Sequence, residues 1–366
     1  MDNITEVIAA IAKEKEIAVE TLFESIEAAL ITAYRKNFGK NRNARASIDR
    51  VTGEIKVFTQ FVVVEEVEDS ETEISLEEAK KINPIYELDD IYETEETPKD
   101  FGRVAALAAK QVVVQRIREA ERSSVYDEYK SREQELIYSQ IQRINNGVVY
   151  FNLGKAEAIM PPKEQIPGER YRVGDRLRSF IIEVKDEKRK ALEEGKTAKD
   201  VKGKKGLEIV LSRTHPGLVR RLFELEVPEI MEGDVLIKSI AREAGSRTKL
   251  AVQAGREGLD PVGACVGPKG SRVSHIVDEL GGEKIDIVEY TDDMATFIEN
   301  ALSPAKVSEV RLIGDRNAEV VVPDFQLSLA IGKEGQNARL AAKLTGIRID
   351  ILSETQDKER SGNEEA

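Results

Sequence analysis

The strongest constraint on the fold is an internal repeat in the C-terminal third of the chain. Residues 266–288 (VGPKGSRVSHIVDELGGEKIDIV) align with residues 331–352 (IGKEGQNARLAAKLTGIRIDIL) after one deleted residue. The period is about 65 residues, which is long enough for each copy to own a core. Around each copy the pattern of apolar residues and turn formers predicts the order α, β, β, α, α, β, first from His215-Pro216 and again from Asp292. The repeat therefore predicts two compact domains in tandem.

Each copy of the repeat carries a GxxG tetrapeptide between two predicted short helices. The two tetrapeptides are Gly267-Pro268-Lys269-Gly270 and Gly332-Lys333-Glu334-Gly335. Because glycine has no Cβ, the backbone there can approach a sugar-phosphate strand, and the adjacent helix N-termini offer N–H groups to phosphate oxygens. Residues 203–206 and 255–258 match the same string but do not lie between predicted helices, so we assign both to turns.

The context of these two tetrapeptides, with an apolar residue before the first glycine and a closing Ile-Asp-Ile strand, resembles the KH family of RNA-binding domains. We refer to residues 214–290 and 291–353 as the first and second KH modules. The resemblance implies that four cations face the RNA backbone and that Asn337 reaches a base edge; the cations are Lys269, Arg272, Lys333 and Arg339. Ordinary surface charge remains an alternative for Arg272 and Arg339. Glu334 departs from the pattern because a carboxylate repels phosphate, so we expect the second clamp to bind more weakly.

Residues 133–213, the barrel domain, show the pattern of a small β-barrel. Five short strands are predicted at 136–144, 148–153, 156–160, 176–185 and 207–213, and the charged segment 186–206 is predicted to be a mobile loop insertion. Strand alternation places Val149 and Phe151 toward the core and Tyr150 on the opposite face. The domain resembles the OB-fold RNA-binding domain that is repeated in a large ribosomal protein. In such barrels an aromatic ring stacks on a base, which predicts that role for Tyr150 and phosphate binding for Lys155, Arg176 and Arg178. A partly buried structural tyrosine remains the alternative.

Charge is distributed unevenly along the chain. The net charge is −13, yet residues 131–212 hold 17 basic and 13 acidic residues, whereas residues 1–130 hold 18 and 28. Acidic residues concentrate between 65 and 100, a segment that we interpret as a solvated face. An acidic chain does not coat nucleic acid indiscriminately, because non-specific affinity grows with the number of phosphates neutralised. The middle of the chain can still present a basic face.

Several classes of protein are disfavoured by what the sequence contains. One cysteine, Cys265, excludes an internal disulfide, and two histidines are too few for an ordinary zinc site, so we expect no metal and no cofactor. No apolar run approaches the roughly 18 residues of a membrane span, and the N-terminus lacks the pattern of a secretory signal. We therefore expect a cytoplasmic protein that makes no membrane contact.

Several strings in the C-terminal half resemble the NusA family of bacterial transcription elongation, termination and antitermination factors. They are RTHPGLVRRLFELEVPEI (213–230), GSRTKLAV (245–252), DPVGACVGPKGSRV (260–273) and LAIGKEGQNARLAAKLTG (329–346). The resemblance covers residues 1–353. It implies that the N-terminal domain, residues 1–132, binds the RNA polymerase core, that the barrel and the KH modules bind nascent single-stranded RNA, and that other antitermination factors are partners. We expect a monomer.

The predicted fold class is multidomain α+β, with an α+β N-terminal domain, a five-stranded OB-fold β-barrel and two tandem KH domains of the prokaryotic α-β-β-α-α-β type. The charged tail, residues 354–366, is predicted to be disordered, without the acidic helical repeats with which some family members continue. Two other functions are alternatives for a chain with these modules. An RNA-degrading enzyme would need a catalytic constellation, which is not visible in the sequence, so we expect no enzymatic activity. A ribosome-associated KH protein would normally be strongly basic.

Overall fold

The computed structural model describes residues 4–14, 18–38, 43–98, 101–194, 206–314 and 316–364. These residues form two compact units, Met1–Val125 and Tyr126–Ala366. The predicted fold class is confirmed, because helices and strands are mixed along the chain and a closed five-stranded barrel lies in its middle.

The N-terminal unit packs helices against a four-stranded sheet. Its helices are α1 (Ile4–Glu14), α2 (Val19–Phe38), α3 (Leu76–Ile82) and α4 (Phe101–Lys130), the last of which runs past the end of the unit. Its strands are β1 (Asn43–Ile48), β2 (Ile55–Val64), β3 (Glu73–Ser75) and β4 (Ile91–Glu95). Strand β2 pairs antiparallel with β1 and β4 and parallel with β3. The core residues Leu22, Ile26, Leu30 and Val57 are fully buried, which is what anchors α2 to the sheet.

Local chemistry explains the turns and helix starts of this unit. Between β1 and β2 the carboxylate of Asp49 accepts hydrogen bonds from the backbone N–H groups of Val51 and Thr52, at 2.9 and 2.7 Å, which is an Asx turn. Ser75 caps α3 by accepting from the N–H of Glu78 at 3.3 Å, and the string Ser75-Leu76-Glu77-Glu78 has the sequence of a capping box. The acidic segment holds β3 and β4, two short strands that the sequence did not reveal.

The barrel closes in the order β5, β6, β7, β9, β8, which returns to β5. The strands are β5 (Leu136–Asn145), β6 (Val148–Asn152), β7 (Glu157–Met160), β8 (Arg176–Asp186) and β9 (Leu207–Ser212). Asn146 and Gly147 make the first turn with φ of 48° and 77°, the left-handed pair that a two-residue hairpin needs. Val149 and Phe151 are buried in the barrel, as strand alternation predicts.

The charged insertion differs from the prediction where it begins. Residues Glu187–Glu193 form helix α5 directly after β8, because the carboxylate of Asp186 accepts from the N–H groups of Lys188 and Arg189, both at 3.1 Å. The expectation of a loop over the whole insertion is therefore wrong for its first turns. Residues 195–205 lie outside the described part of the chain.

The two KH modules repeat one arrangement of helices on a three-stranded sheet. The first consists of α6 (Pro216–Glu226), α7 (Pro228–Met231), β10 (Val235–Glu243), β11 (Arg247–Ala254), α8 (Pro261–Val266), α9 (Ser271–Glu279) and β12 (Lys284–Glu289). The second consists of α10 (Met294–Ala301), β13 (Glu309–Ile313), β14 (Asn317–Val322), α11 (Leu327–Ile331), α12 (Gln336–Thr345) and β15 (Arg348–Ser353). In each sheet the middle strand pairs antiparallel with the first strand and parallel with the last.

The modules of the second unit share apolar cores. Ala251 and Val288 of the first KH module belong to the same buried cluster as Leu302 and Leu340 of the second. A second cluster joins Phe180 of the barrel domain to helix α6 and the rest of the first KH module. Burying such side chains is the largest favourable term in packing, so these three modules form a continuous body.

The C-terminal tail also differs from the prediction. Residues Glu354–Glu364 form helix α13. Ser353 and Gln356 start it as a capping box: the Gln356 N–H donates to Ser353 Oγ at 3.3 Å and the Ser353 N–H to Gln356 Oε1 at 3.0 Å. Arg311 of β13 then holds the helix through a bidentate pair with Asp357, at 2.6 and 2.9 Å. The disorder that we expected is wrong for these residues, because the high charge of the tail hid a helix-start signal.

Candidate nucleic-acid interface

The two GxxG loops adopt the same backbone conformation. Gly267 and Gly332 have φ/ψ of 74°/174° and 75°/173°. The third residues, Lys269 and Glu334, have 54°/26° and 54°/28°, a left-handed conformation that is uncommon outside glycine. The loops thus correspond residue by residue in sequence and in backbone angles, so Glu334 occupies the position that Lys269 holds in the first clamp, and Lys333 corresponds to Pro268.

Glycine at the first position is required by contact as well as by its positive φ. A Cβ on Gly267 would lie 2.6 Å from Cγ of Arg272, whereas one on Gly332 would lie 2.8 Å from the backbone nitrogen of Asn337. A side chain can move away from such a contact more easily than a backbone nitrogen can. The second loop is therefore the less tolerant of the two.

We expect Gly332→Ala to destabilise the protein more than Gly267→Ala. The contact with the Asn337 backbone adds to the conformational strain that both variants share, which together we place at about 2–4 kcal/mol for Gly332 against about 1–2 kcal/mol for Gly267. Denaturant unfolding of the full chain measures both. Equal losses would show that the second loop relaxes as freely as the first.

The residue five positions after the first glycine is turned inward in both loops. Arg272 donates to the carbonyl of Ala264 at 2.6 Å and pairs with Glu229 at 2.9 Å. Asn337 is 3% exposed and donates through Nδ2 to the carbonyls of Leu302 and Ala330, both at 3.0 Å. The structure thus differs from the expectation that Arg272 faces a phosphate and Asn337 a base edge, because both hold the loop onto the preceding helix.

Arg339 lies at the boundary between the two KH modules. Its Nε donates to Glu243 of the first module at 2.6 Å, and Nη1 donates to the carbonyl of Glu334 at 3.0 Å. The hydrogen bond from Arg339 lowers the pKa of the Glu243 carboxyl below its usual value. Gln336 donates to the same carboxylate at 2.8 Å. The predicted contact of Arg339 with RNA must therefore compete with a partner inside the protein.

Lys269 and Lys333 remain available to an outside ligand. Both side chains are exposed, and within the described part of the chain neither makes an ion pair. The first clamp presents its lysine at the left-handed position, whereas the second presents its lysine one residue earlier, beside the carboxylate of Glu334. That the second clamp binds RNA more weakly stays a prediction.

On the barrel, Tyr150 is less open than the sequence suggested. The guanidinium of Arg143, its cross-strand partner, lies 3.4 Å from the ring centroid and pairs with Glu157 at 2.7 Å. One face of the ring is therefore already occupied by a cation. This geometry favours the alternative of a partly buried, structurally engaged tyrosine, although its other face is not covered by that guanidinium.

A second tyrosine on the barrel surface was missed in the sequence. Tyr138 is 60% exposed and pairs across the strands with Arg178, whose guanidinium lies 5.5 Å from the ring centroid. Arg178 also pairs with Glu279 of the first KH module at 2.7 Å. Arg176 and Lys155 are exposed, and of these only Arg176 lies on the same strand as Arg178. Alternation along residues 136–140 was the signal that would have identified Tyr138.

A buried arginine joins the barrel to the first KH module. Arg213 has no exposed side-chain surface and donates to both carboxylate oxygens of Glu169, at 2.8 and 2.6 Å. It also donates to the carbonyls of Arg178 and Glu279, at 2.6 and 2.8 Å. The network satisfies the guanidinium on every side and fixes the two modules relative to each other. Sequence patterns do not reveal it, because its partners lie 35, 44 and 66 residues away.

Two kinds of site were not found. Within the described ranges, no cluster of histidine, cysteine and carboxylate side chains is arranged to hold a metal ion. Among the same residues, no helix is both long and apolar enough to cross a membrane. Cys265 is buried, which raises the pKa of its thiol to about 12, so it does not present a reactive thiolate.

Three family models match the chain. Residues 3–123 match the NusA N-terminal domain, residues 213–290 the NusA-like first KH domain, and residues 294–359 the NusA-like second KH domain. The matches to the two KH domains coincide with the two repeats and their GxxG loops. The first match covers the part of the sequence in which local motifs were least informative.

Curated relatives align with nearly the whole chain. A protein of Halalkalibacterium halodurans is 52% identical over 98% of this chain and 89% of its own length, and one of Bacillus subtilis is 51% identical over 98% and 92%. A protein of Rickettsia prowazekii is 42% identical over 99% of this chain and 70% of its own length. All three are named transcription termination/antitermination protein NusA.

Proposed function

This chain belongs to the NusA family of transcription termination/antitermination proteins, and from that premise we propose how it divides its work between polymerase and transcript. The N-terminal domain binds the RNA polymerase core. The barrel and the two KH modules bind nascent single-stranded RNA. By holding the transcript next to the enzyme, the protein modulates pausing, termination and antitermination.

One observation carries the RNA-binding half of the proposal. Two GxxG loops with matching dihedral angles each present an exposed lysine, at Lys269 and Lys333, on modules that share one apolar core. Clamps fixed on one body bind successive parts of a strand with little further loss of freedom, because the relative position of the clamps is already set. A flexible single strand fits such a surface better than a rigid duplex does.

Tethering explains how an acidic protein captures RNA. The net charge of −13 weakens its attraction to RNA in free solution. Once the N-terminal domain is bound to polymerase, the transcript and the clamps share a small volume, and a local concentration of the order of millimolar makes weak sites sufficient. Activity then depends on the enzyme from which the RNA emerges.

The remaining assignments follow from the same proposal. The protein acts in the cytoplasm as a monomer, cooperates with other antitermination factors, and needs no cofactor. It is not an enzyme. An RNA-degrading enzyme would have required a catalytic domain outside the RNA-binding modules, and the N-terminal region where that domain would lie matches a NusA domain instead.

We expect a fragment of residues 1–130 to retain RNA polymerase from the same organism without RNA. The N-terminal unit has its own buried core, so the fragment can fold independently. A fragment of residues 126–366 serves as the matched control and should retain single-stranded RNA but little polymerase. Retention of polymerase by the second fragment alone would contradict the assignment of polymerase binding to the N-terminal domain.

A further inference from the structure

A cavity lies where the two KH modules meet. Its volume is about 340 Å³, which lies at the lower end of the range of small-ligand sites. The first module contributes Ser246, Arg247 and Lys284, and the second contributes Ser328, Gly332, Lys333 and Gln336 among others. The cavity therefore opens onto the second GxxG loop, and its opposite wall belongs to the other module.

The charged groups that line this cavity are all cationic. They are Arg247, Lys284 and Lys333, and none of the lining residues is acidic. Arg247 is held by Asp286 in a bidentate pair at 2.7 and 2.9 Å, so its charge is partly compensated. Lys284 is exposed and makes no ion pair with any described residue. The cavity therefore favours an anionic group, and Lys284 supplies an uncompensated charge.

The second clamp lacks a cation that the first clamp has. Glu334 holds the place that Lys269 has in the first clamp, so the second loop carries a carboxylate where the first carries an ammonium group. Lys333 only balances that charge. A phosphate at the second clamp thus needs a cation from elsewhere, and on the cavity wall the first module supplies Lys284, which makes no ion pair with any described residue.

We propose that this cavity is a composite phosphate site, in which Lys284 and Arg247 of the first KH module complete the second GxxG clamp. The ligand is a phosphate of the RNA strand that the second clamp holds. This inference rests on the proposed function, because it names the contact that RNA makes at the second clamp. The two modules would then bind RNA as a unit, since neither owns the complete site.

The contacts across the boundary hold the composite site in place. Gln336 at the start of α12 donates to Glu243 and to Ser246 Oγ, both at 2.8 Å. Lys249 of the first module is fully buried and donates to the carbonyl of Ser303 in the second at 2.6 Å. These bonds fix the turn that carries Ser246 and Arg247 against the second loop. The backbone that carries Arg247 and Lys284 is therefore in place before the ligand arrives, which lowers the entropy cost of binding.

The test measures RNA binding by the full chain carrying Lys284→Glu. Fluorescence anisotropy of a labelled single-stranded RNA of about 12 nucleotides is the readout. We expect affinity to fall about tenfold near 0.15 M salt, and the slope of log K against log salt to become shallower by about one. Lys284→Gln should lose less, with the same change in slope. Lys343→Glu on α12 is the matched control, because Lys343 is also exposed but does not line the cavity.

Several outcomes would overturn the composite site. Equal affinities for Lys284→Glu and Lys343→Glu, with normal unfolding curves, would remove Lys284 from the site. If Lys269→Asp still weakens RNA binding in that case, the proposed function stands and only the composite site is contradicted. If the unaltered chain binds no RNA at all, the proposed function itself is contradicted. Titration with AMP and with inorganic phosphate separates the sources: Lys284-dependent binding of either at micromolar concentration would identify a small-molecule site instead of an RNA contact.

Discussion

Replacing Arg213 by methionine is expected to destabilise the second unit by about 3–5 kcal/mol, the cost of removing one partner from a buried ionic network. The variant leaves Glu169, whose side chain is only 16% exposed, without its bidentate partner, and it frees the carbonyls of Arg178 and Glu279. A buried carboxylate without a cation must either be desolvated alone or take up a proton. Denaturant unfolding measures the loss in the free energy of unfolding, as a shift of the midpoint at constant slope.

The control for this prediction is Arg348→Met. Arg348 is 76% exposed in its side chain and lies 3.8 Å from Asp350, a surface pair that contributes at most about 1 kcal/mol. A loss below about 1 kcal/mol for Arg213→Met as well would mean that the network is replaced by solvent, and that the barrel and the first KH module are held together by their apolar contacts alone.

Replacing Lys269 by aspartate is expected to produce the largest loss of RNA affinity among single exposed substitutions. The change removes a cation from the first clamp and places a carboxylate in the position that Glu334 holds in the second. Aspartate tolerates the left-handed conformation at this position, so the loop should keep its shape. We expect affinity to fall about tenfold to thirtyfold near 0.15 M salt, with a shallower dependence on salt.

Lys163→Asp provides the matched control for this second prediction. Lys163 is 80% exposed on the barrel domain and makes only a weak contact of 3.9 Å with Glu164, so it tests whether any loss of a surface cation has the same effect. Unfolding curves of both variants should match that of the unaltered chain. If both variants lose affinity equally, binding reflects overall charge, and the first clamp has no special role.

The parts of the fold that the sequence predicted are those whose signals are local. The repeat, the two GxxG loops, the five strands of the barrel and the burial of Val149 and Phe151 all follow from patterns within a few residues. Turn chemistry at Asn146-Gly147 and the cap at Ser75 are equally local. Such features are predictable because hydrophobic periodicity and backbone preferences act over short distances.

The parts that could not be predicted depend on distant partners. Arg272 and Asn337 were expected at the RNA surface, and the structure shows that the carbonyls they hold are on neighbouring helices. Tyr150 is covered by Arg143 from the adjacent strand, which a reading of one strand alone does not show. Lys284 has no motif around it and gains a candidate role only from the packing of one module against the other.

The central claim is that the protein acts on transcription by holding RNA at the polymerase, and pause lifetimes test it most directly. The assay is transcription by RNA polymerase of the same organism from a template with a hairpin-dependent pause. We predict that the full chain changes the pause lifetime severalfold. The Lys269→Asp variant should lose most of this effect, whereas the Lys163→Asp variant should keep it. Pause lifetimes that are the same with and without the full chain, or an effect that Lys269→Asp leaves intact, would contradict the account.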